Sequence, residues 1–472
     1  MTKAVLGIAL YLFAAAAAPD PAASLRVRLD RVFADTRLAT ANLGVLVRSL
    51  DRPETLYEKN SSKLFVPAST NKILTAAAAF VRLGAAYRFP TRVYRDGPVE
   101  GGVLRGNLII AGSGDPSAAP RFYSGDPFSV FRQWAATLKA FGIRRVAGDV
   151  RADPAAWADQ KFGNGWQWDD LAEPYAAPPS PLEFNENMLS LEIAAGARPG
   201  DPAIIRQAPM DKFLDLEGRV ITSEPGTAAR IEVDRADAQG TMKVSGAIPK
   251  GTATTRDVAV PDPTRYFLAA LRRTLSDEGI GIDAGIVPDQ RPELLFVHSS
   301  PELVEITRAL LKLSINPIAE TLARALGPDG TFAGGKAVLE QTLEPMGVQK
   351  GSYGYADGSG LSRLDLVSPR TLVSVLGYMK SRPDFPLFYD ALPSAGVDGT
   401  LAERMKGTRA EGNVHAKTGT LTGVSAIAGY VRTADGELLA FSIMVNNYLA
   451  SKEAAEAVED RALQVLANFS RK

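Results

Sequence analysis

The sequence predicts a mixed α/β (α+β) protein. Three observations carry that prediction. Near the N-terminus, residues 43–47 and 55–57 are apolar runs around the turn Asp51-Arg52-Pro53-Glu54, the pattern of a β-hairpin. Near the C-terminus, residues 424–431 and 438–445 flank Ala434-Asp435-Gly436-Glu437, a second hairpin with Asp-Gly at its turn. Long helical patterns cover residues 263–277, 302–326 and 451–469, while the interval from about 87 to 297 is dominated by short strands and turns.

Taken in order, residues 1–24 carry one early cation, Lys3, an apolar run over 4–18, and then small residues and proline. This is the pattern of a cleavable export signal, with processing expected between Ala16 and Ala23. An uncleaved anchor is the alternative, disfavoured because the run is short for a membrane span. A helical stretch over 25–39 precedes the first hairpin, and another helix opens at Ser69-Thr70-Asn71-Lys72. Within the strand-rich interval, 107–110 and 145–150 read as strands, the proline-rich residues 174–181 mark an internal boundary, and 190–260 read as a small β-rich unit. The helical run over 302–326 should break at Asn316-Pro317, since asparagine is a good N-cap and proline is favoured at the first helical position. The last helix bears Glu453, Glu456, Glu459 and Asp460 on its polar positions, which suits core packing and not a basic membrane-surface helix.

Composition narrows the function. At 472 residues the chain exceeds what one core usually serves, so two or three domains are expected. Apolar residues make up 46% and charged residues 22%, ordinary values for a globular protein. Lys plus Arg and Asp plus Glu are each 53, giving a formal net charge of 0 with no long block of one sign, which argues against nucleic-acid binding. Cysteine is absent, so neither a disulfide framework nor a thiol nucleophile is available, and the only histidines are His298 and His415. No metal-ligand cluster is expected, and Gly279-Ile280-Gly281-Ile282-Asp283-Ala284 follows a helix where a dinucleotide loop would open one.

Chemistry concentrates in three short elements. Ser69 and Lys72 stand three apart on a helix and therefore share a face. A serine hydroxyl needs a base, and without a G-x-S-x-G elbow or a histidine in an evident triad, lysine is the leading base. The second element is Ser314-Ile315-Asn316, at the helix break. The third is His415-Ala416-Lys417-Thr418-Gly419-Thr420, which offers a cation, hydroxyls and a close-approach backbone to an anionic peptide end. Each alone has an ordinary structural reading; S-x-x-K, Ser-x-Asn and K-T-G in this order are the set found in β-lactamases and penicillin-binding proteins.

With these motifs the sequence resembles the penicillin-binding proteins of the D-alanyl-D-alanine carboxypeptidase and endopeptidase group, peptidase family S13 or class C type-4. The resemblance extends to Asp357-Gly358-Ser359-Gly360-Leu361-Ser362-Arg363, Gly112-Ser113-Gly114-Asp115-Pro116 and Gly165-Trp166-Gln167-Trp168-Asp169-Asp170-Leu171. Residue 315 is Ile where many relatives have Asp, and Pro317 is less usual, so the local helix start is expected to differ slightly. The interval between Ser69 and Ser314 is far longer than a compact β-lactamase leaves.

The resemblance implies a penicillin-binding transpeptidase/β-lactamase-like domain, an antiparallel sheet flanked by helices, formed by residues 24–86 and 298–472. After a signal at 1–23, it implies an inserted domain at 87–189 and 261–297 and a nested β-rich domain at 190–260. It implies a serine DD-peptidase in which Ser69 attacks, Lys72 is its base and Ser314 relays a proton. Asn316 would orient the substrate amide, Lys417 and Thr418 would hold the terminal carboxylate, and Ser69 and Thr420 N–H groups would take the oxyanion beside Gly419. Asp169 would read the amino end of the stem-peptide side chain. A free lysine titrates near pH 10.4, so burial and the cation Lys417 are expected to favour the neutral amine.

The implied partners are peptidoglycan stem peptides, with β-lactams as covalent inhibitors. No cofactor, no metal, no nucleic acid and no membrane anchor after signal removal are expected, in a periplasmic or extracellular location; a homodimer is one assembly left open. The competing readings are a catalytically silent cell-wall binding protein on the same fold, and a β-lactamase.

Overall fold

The structure, a computed structural model, describes residues 20–153, 157, 160–237, 240–288 and 290–472. The expected export signal lies almost wholly outside the described residues. Its last part belongs to a helix, α1 (Pro21–Phe33), which Asp20 caps by accepting from the Ala22 N–H and whose Ala22 and Leu25 are buried.

The two ends of the chain meet in one antiparallel sheet. The first hairpin forms β1 (Asn42–Ser49) and β2 (Thr55–Lys59); β3 (His415–Leu421), β4 (Val424–Arg432) and β5 (Leu438–Asn446) follow near the C-terminus. Their order is β3-β4-β5-β1-β2, with β1 paired to β5 from Asn42↔Asn446 to Ser49↔Leu439. Strands β4 and β5 are apolar on both faces because both are covered. Ile427, Val431, Phe441 and Ile443 join the core shared with α1 and the last helix, α6 (Lys452–Ala467). The alternate residues Ala426, Ala428, Tyr430, Ala440 and Met444 face the main helical layer. Removing a ring such as Phe441 would cost about 3–5 kcal/mol.

That layer contains α2 (Lys72–Arg82), α3 (Leu303–Leu313), α4 (Asn316–Ala325) and α5 (Pro369–Lys380). From Lys72 to Phe80 every residue of α2 is buried, and the run Ala76-Ala77-Ala78-Ala79 lets neighbouring elements approach closely on all sides. The expected break between α3 and α4 is present. Ser314 adopts the left-handed conformation (φ 63°, ψ 37°), and the capping position falls on Ile315, so Asn316 and Pro317 are the first two helical residues. Asn316 is thereby released from the capping role expected of it.

The strand-rich interval packs around one continuous apolar core running in sequence from Val93 to Ile280, with Phe131, Trp134, Phe184, Tyr266 and Phe267 at its centre. Helices Ser129–Ala140 and Pro263–Asp277 belong to it. The strand read over 145–150 is two, Arg145–Val146 and Val150–Ala152, separated where Gly148 passes so close to Asn107 that a side chain would collide. Between Met188 and Ala259 six strands form two three-stranded sheets. The proline-rich segment contains a short 3-10 turn, Pro174–Ala176, that carries Tyr175 towards the main helical layer.

Candidate active site

Ser69 lies in a 3-10 turn, Ala68–Asn71, that feeds directly into α2. The residue before it, Ala68, holds a left-handed φ of 46°, a strained conformation for a residue with a Cβ. This turn packs against β3 at Gly419, where an added Cβ would lie 2.6 Å from the Pro67 carbonyl and 2.9 Å from the Ser69 nitrogen. The glycine of the Lys-Thr-Gly motif is therefore a requirement of strand-to-turn contact.

Lys72 is fully buried, and its Nζ lies 2.8 Å from Ser69 Oγ, 2.6 Å from Asn316 Oδ1 and 2.8 Å from the Ser359 carbonyl oxygen. A neutral amine has two N–H groups and one lone pair. Asn316 and Ser359 can accept only the two N–H groups, which leaves the lone pair for the Ser69 hydroxyl. Burial pulls the Lys72 amine down to about 7, opposed by the charges of Asp357, Glu320 and Asp365.

Lys417 is also fully buried and donates to the Thr418 carbonyl at 2.8 Å. Burial, and then repulsion from Lys72, holds its amine well below the ordinary lysine value. Desolvation is thus the main cause at both lysines, and the expected repulsion between them adds to it at Lys417, whereas at Lys72 the further effects come from carboxylates.

Strand β3 is an edge of the sheet, so alternate backbone groups point away from β4. The Ala416 N–H donates outwards to the Pro393 carbonyl at 2.9 Å. By the period of two, the N–H groups of Thr418 and Thr420 leave the same edge. Thr420 lines the cleft over Ser69, while the Thr418 hydroxyl donates to Thr400 Oγ1 at 2.7 Å.

This cleft has a volume of about 400 Å³ and is walled by Ser69, Ser314, Asn316, Thr420, Gly360, Leu361 and Arg363, with Gln167, Asp170 and Tyr175 contributed by the strand-rich region. Asn316 connects the two sides: its Oδ1 accepts from Lys72 and its Nδ2 donates to the Tyr175 carbonyl at 2.8 Å. Asp169 is exposed on the turn Trp168–Asp170 and is not a wall of the cleft, whereas its neighbour Asp170 is, accepting from the Tyr175 hydroxyl at 2.7 Å. Arg363 also lines the cleft and donates to the Thr422 carbonyl at 2.7 Å and to Gln167 Oε1 at 3.4 Å.

Several of these residues escaped the motif reading. Glu320, one helical turn beyond Asn316 on α4, accepts from the Ser359 N–H at 2.9 Å; its i+4 spacing from Asn316 was the available signal. Tyr175 carried no signal beyond its place in the proline-rich stretch, and Asp170 none that set it apart from Asp169 within their shared motif. The two histidines are not in the cleft wall: His298 lies beside Asp115 at 3.7 Å, and His415 stacks on Tyr389 with centroids 4.0 Å apart. Among the described residues there is no group of three or more His, Cys, Asp or Glu side chains that could hold a metal, and no helix long and apolar enough to cross a membrane.

Comparison with known proteins shows the family. The sequence profile described as the D-Ala-D-Ala carboxypeptidase 3 (S13) family matches residues 25–469. The D-alanyl-D-alanine carboxypeptidase of Actinomadura sp. (strain R39) is 34% identical, covering 94% of this chain and 85% of that protein. The D-alanyl-D-alanine carboxypeptidase DacB of Haemophilus influenzae is 30% identical, covering 86% of each. The crystal structure of penicillin binding protein 4 (dacB) from Haemophilus influenzae superposes with a TM-score of 0.80 at 30% identity, over 92% of this chain and 97% of that one. Its complex with a β-lactam gives 0.74 at 29% identity, over the same shares. The chain belongs to the D-Ala-D-Ala carboxypeptidase 3 (S13) family.

Proposed function

We propose that this serine-type D-Ala-D-Ala carboxypeptidase works through an acyl-enzyme on Ser69, with Lys72 as the base. The observation that carries this reading is the Lys72 amine, buried and hydrogen-bonded to Ser69 Oγ, with two further acceptors, Asn316 Oδ1 and the Ser359 carbonyl, among the described residues. The Ser69 proton passes to Lys72 as Oγ bonds to the carbonyl carbon between the two D-alanines. The resulting oxyanion sits between the N–H groups of Ser69 and Thr420, each donor contributing on the order of 3 kcal/mol to the transition state. The C–N bond then breaks, and the departing D-alanine amine takes a proton through Ser314. Water cleaves the ester and regenerates Ser69.

Asn316 holds both the Lys72 amine and the Tyr175 wall, so it aligns base and substrate amide together. Lys417 supplies a buried amine on β3, Gly419 the close approach, and Thr420 the freer hydroxyl for the terminal carboxylate, with Thr418 supporting it through Thr400. The acid that reads an amino group on the stem-peptide side chain is Asp170 in place of Asp169, with Arg363 available to a carboxylate on the same side chain. Cutting of cross-links uses the same chemistry on a longer leaving amine. Export through residues 1–23, an envelope location, and division into 24–86 with 298–472, 87–189 with 261–297, and 190–260 belong to the same reading.

The test is covalent labelling by a fluorescent penicillin together with D-alanine release from a pentapeptide. Wild type should form an adduct that persists for hours and should release D-alanine; Ser69→Ala should do neither. Rapid loss of the adduct would favour a β-lactamase, and labelling of Ser69→Ala would end the reading.

A further inference from the structure

The segment Asp357–Ser362 passes beneath the catalytic helix, and three consecutive carbonyls of that segment receive hydrogen bonds from the helix start. Asn71 Nδ2 donates to the Asp357 carbonyl at 3.0 Å, Thr75 Oγ1 to that of Gly358 at 2.7 Å, and Lys72 Nζ to that of Ser359 at 2.8 Å. The segment fits tightly. A Cβ at Gly358 would strike the Ala319 carbonyl of α4, and one at Gly360, with φ 81°, would strike the Ala68 carbonyl beside the nucleophile.

The buried Asp357 carboxylate holds this loop from within. Its Oδ1 accepts from the N–H groups of Ser359 at 3.0 Å and Gly360 at 2.5 Å. Its Oδ2 accepts from the Ser362 N–H at 2.6 Å and from Trp166 Nε1 at 2.8 Å. Trp166 comes from the strand-rich region and directly precedes Gln167, a wall of the cleft, with Asp170 on the next turn. A second contact backs the first: Ser362 Oγ donates to the Asn164 carbonyl at 2.6 Å.

We propose that Asp357 is a positioning residue that fixes, through one carboxylate, both the carbonyl that orients Lys72 and the Trp166–Asp170 turn that reads the substrate. It rests on the reading of Lys72 as base given above. Each oxygen serves one side of the junction. Oδ1 sets the Ser359–Gly360 turn under the lysine, and Oδ2 ties that turn to the specificity wall. An asparagine would turn one of these double acceptors into a donor facing two N–H groups, so one side must lose its hold. The charged groups that act on the buried amine are Asp357 of this loop, Asp365 just beyond it and Glu320 of α4, which Arg324 pairs with; the amine in turn acts on Lys417 of β3. Removing the Asp357 charge takes away an effect that favours the ammonium form.

The experiment measures penicillin acylation rates and pentapeptide kcat/KM for wild type, Ser69→Ala, Asp357→Asn and Trp166→Phe, each normalised to folded protein by thermal melt. Asp357→Asn should acylate on the order of 10²-fold more slowly, as expected of a displaced base, with the acid limb of its pH profile moved to lower pH. Trp166→Phe, which loses only the inter-region donor, should lower peptide kcat/KM about tenfold more than it lowers penicillin acylation, the loss of roughly one buried hydrogen bond to a charged acceptor. The proposal is overturned if folded Asp357→Asn acylates as wild type does, or if Trp166→Phe changes both reactions equally. Should Asp357→Asn fail to fold, the Trp166→Phe ratio alone decides. Labelling of Ser69→Ala would instead strike the acyl-enzyme reading, so the two failures are distinguishable.

Discussion

Lys72 and Arg404 are both largely buried cations, and they stand on opposite faces of the same sheet. Arg404 is surrounded by carboxylates: Nε and Nη2 contact Asp460 Oδ1 at 2.9 and 2.6 Å, and Nη2 contacts Glu459 Oε2 at 2.9 Å. Burial pulls its guanidinium down, but Glu459 and Asp460 outweigh that and hold it above the ordinary arginine value. Among the described residues Lys72 hydrogen-bonds to neutral oxygens alone, from Ser69, Asn316 and Ser359. Its carboxylates, Asp357, Glu320 and Asp365, act through space and are engaged elsewhere, so desolvation wins and the amine falls to about 7. Burial makes a strut where the partner in contact is charged and a base where it is neutral.

This contrast can be tested from its largest consequence downwards. Lys72→Arg keeps a cation of similar reach that does not give up its proton, so penicillin acylation should fall about 10³-fold, within the range for loss of a general base. Asp170→Asn should raise KM about tenfold for stem peptides bearing a free side-chain amine, the loss of a charge-assisted hydrogen bond, while Asp169→Asn should change it less than about twofold. Steady-state kinetics on the two variants would separate these neighbours; equal effects would mean that the cleft wall does not set selectivity. Arg404→Met should cost about 3 kcal/mol by denaturant unfolding, because it leaves Glu459 buried without its partner, yet should leave acylation per folded molecule within about twofold. A large acylation defect there would show that the two buried cations are not independent.

Much of this arrangement was legible in the sequence, and the exceptions have physical causes. The two hairpins were readable because a period of two and turn residues are local signals, and β1 with β2 and β4 with β5 pair as read. The meeting of β1 with β5 across the whole chain has no local signal. At Asn316 the local rule, N-cap before proline, gave way to tertiary demand: Ser314 takes the left-handed turn and Asn316 points to Lys72. Asp169 and Asp170 are adjacent and alike, so only the path of the 3-10 turn decides which one reaches the cleft. The origin of the lysine shift was half legible: burial follows from an apolar helix, but carboxylates at Glu320, Asp357 and Asp365 gather from two distant segments.

The pH dependence of penicillin acylation tests the central claim most directly, since the active form of Lys72 is the neutral amine. The rate should be low in acid, rise with pH through about 7 as the amine loses its proton, and level off above it. The same limb should vanish in Lys72→Arg, leaving a slow and flat profile between pH 5 and pH 9. A wild-type rate that is flat across this range, or a limb near 7 that survives in Lys72→Arg, would contradict the assignment of Lys72 as the base.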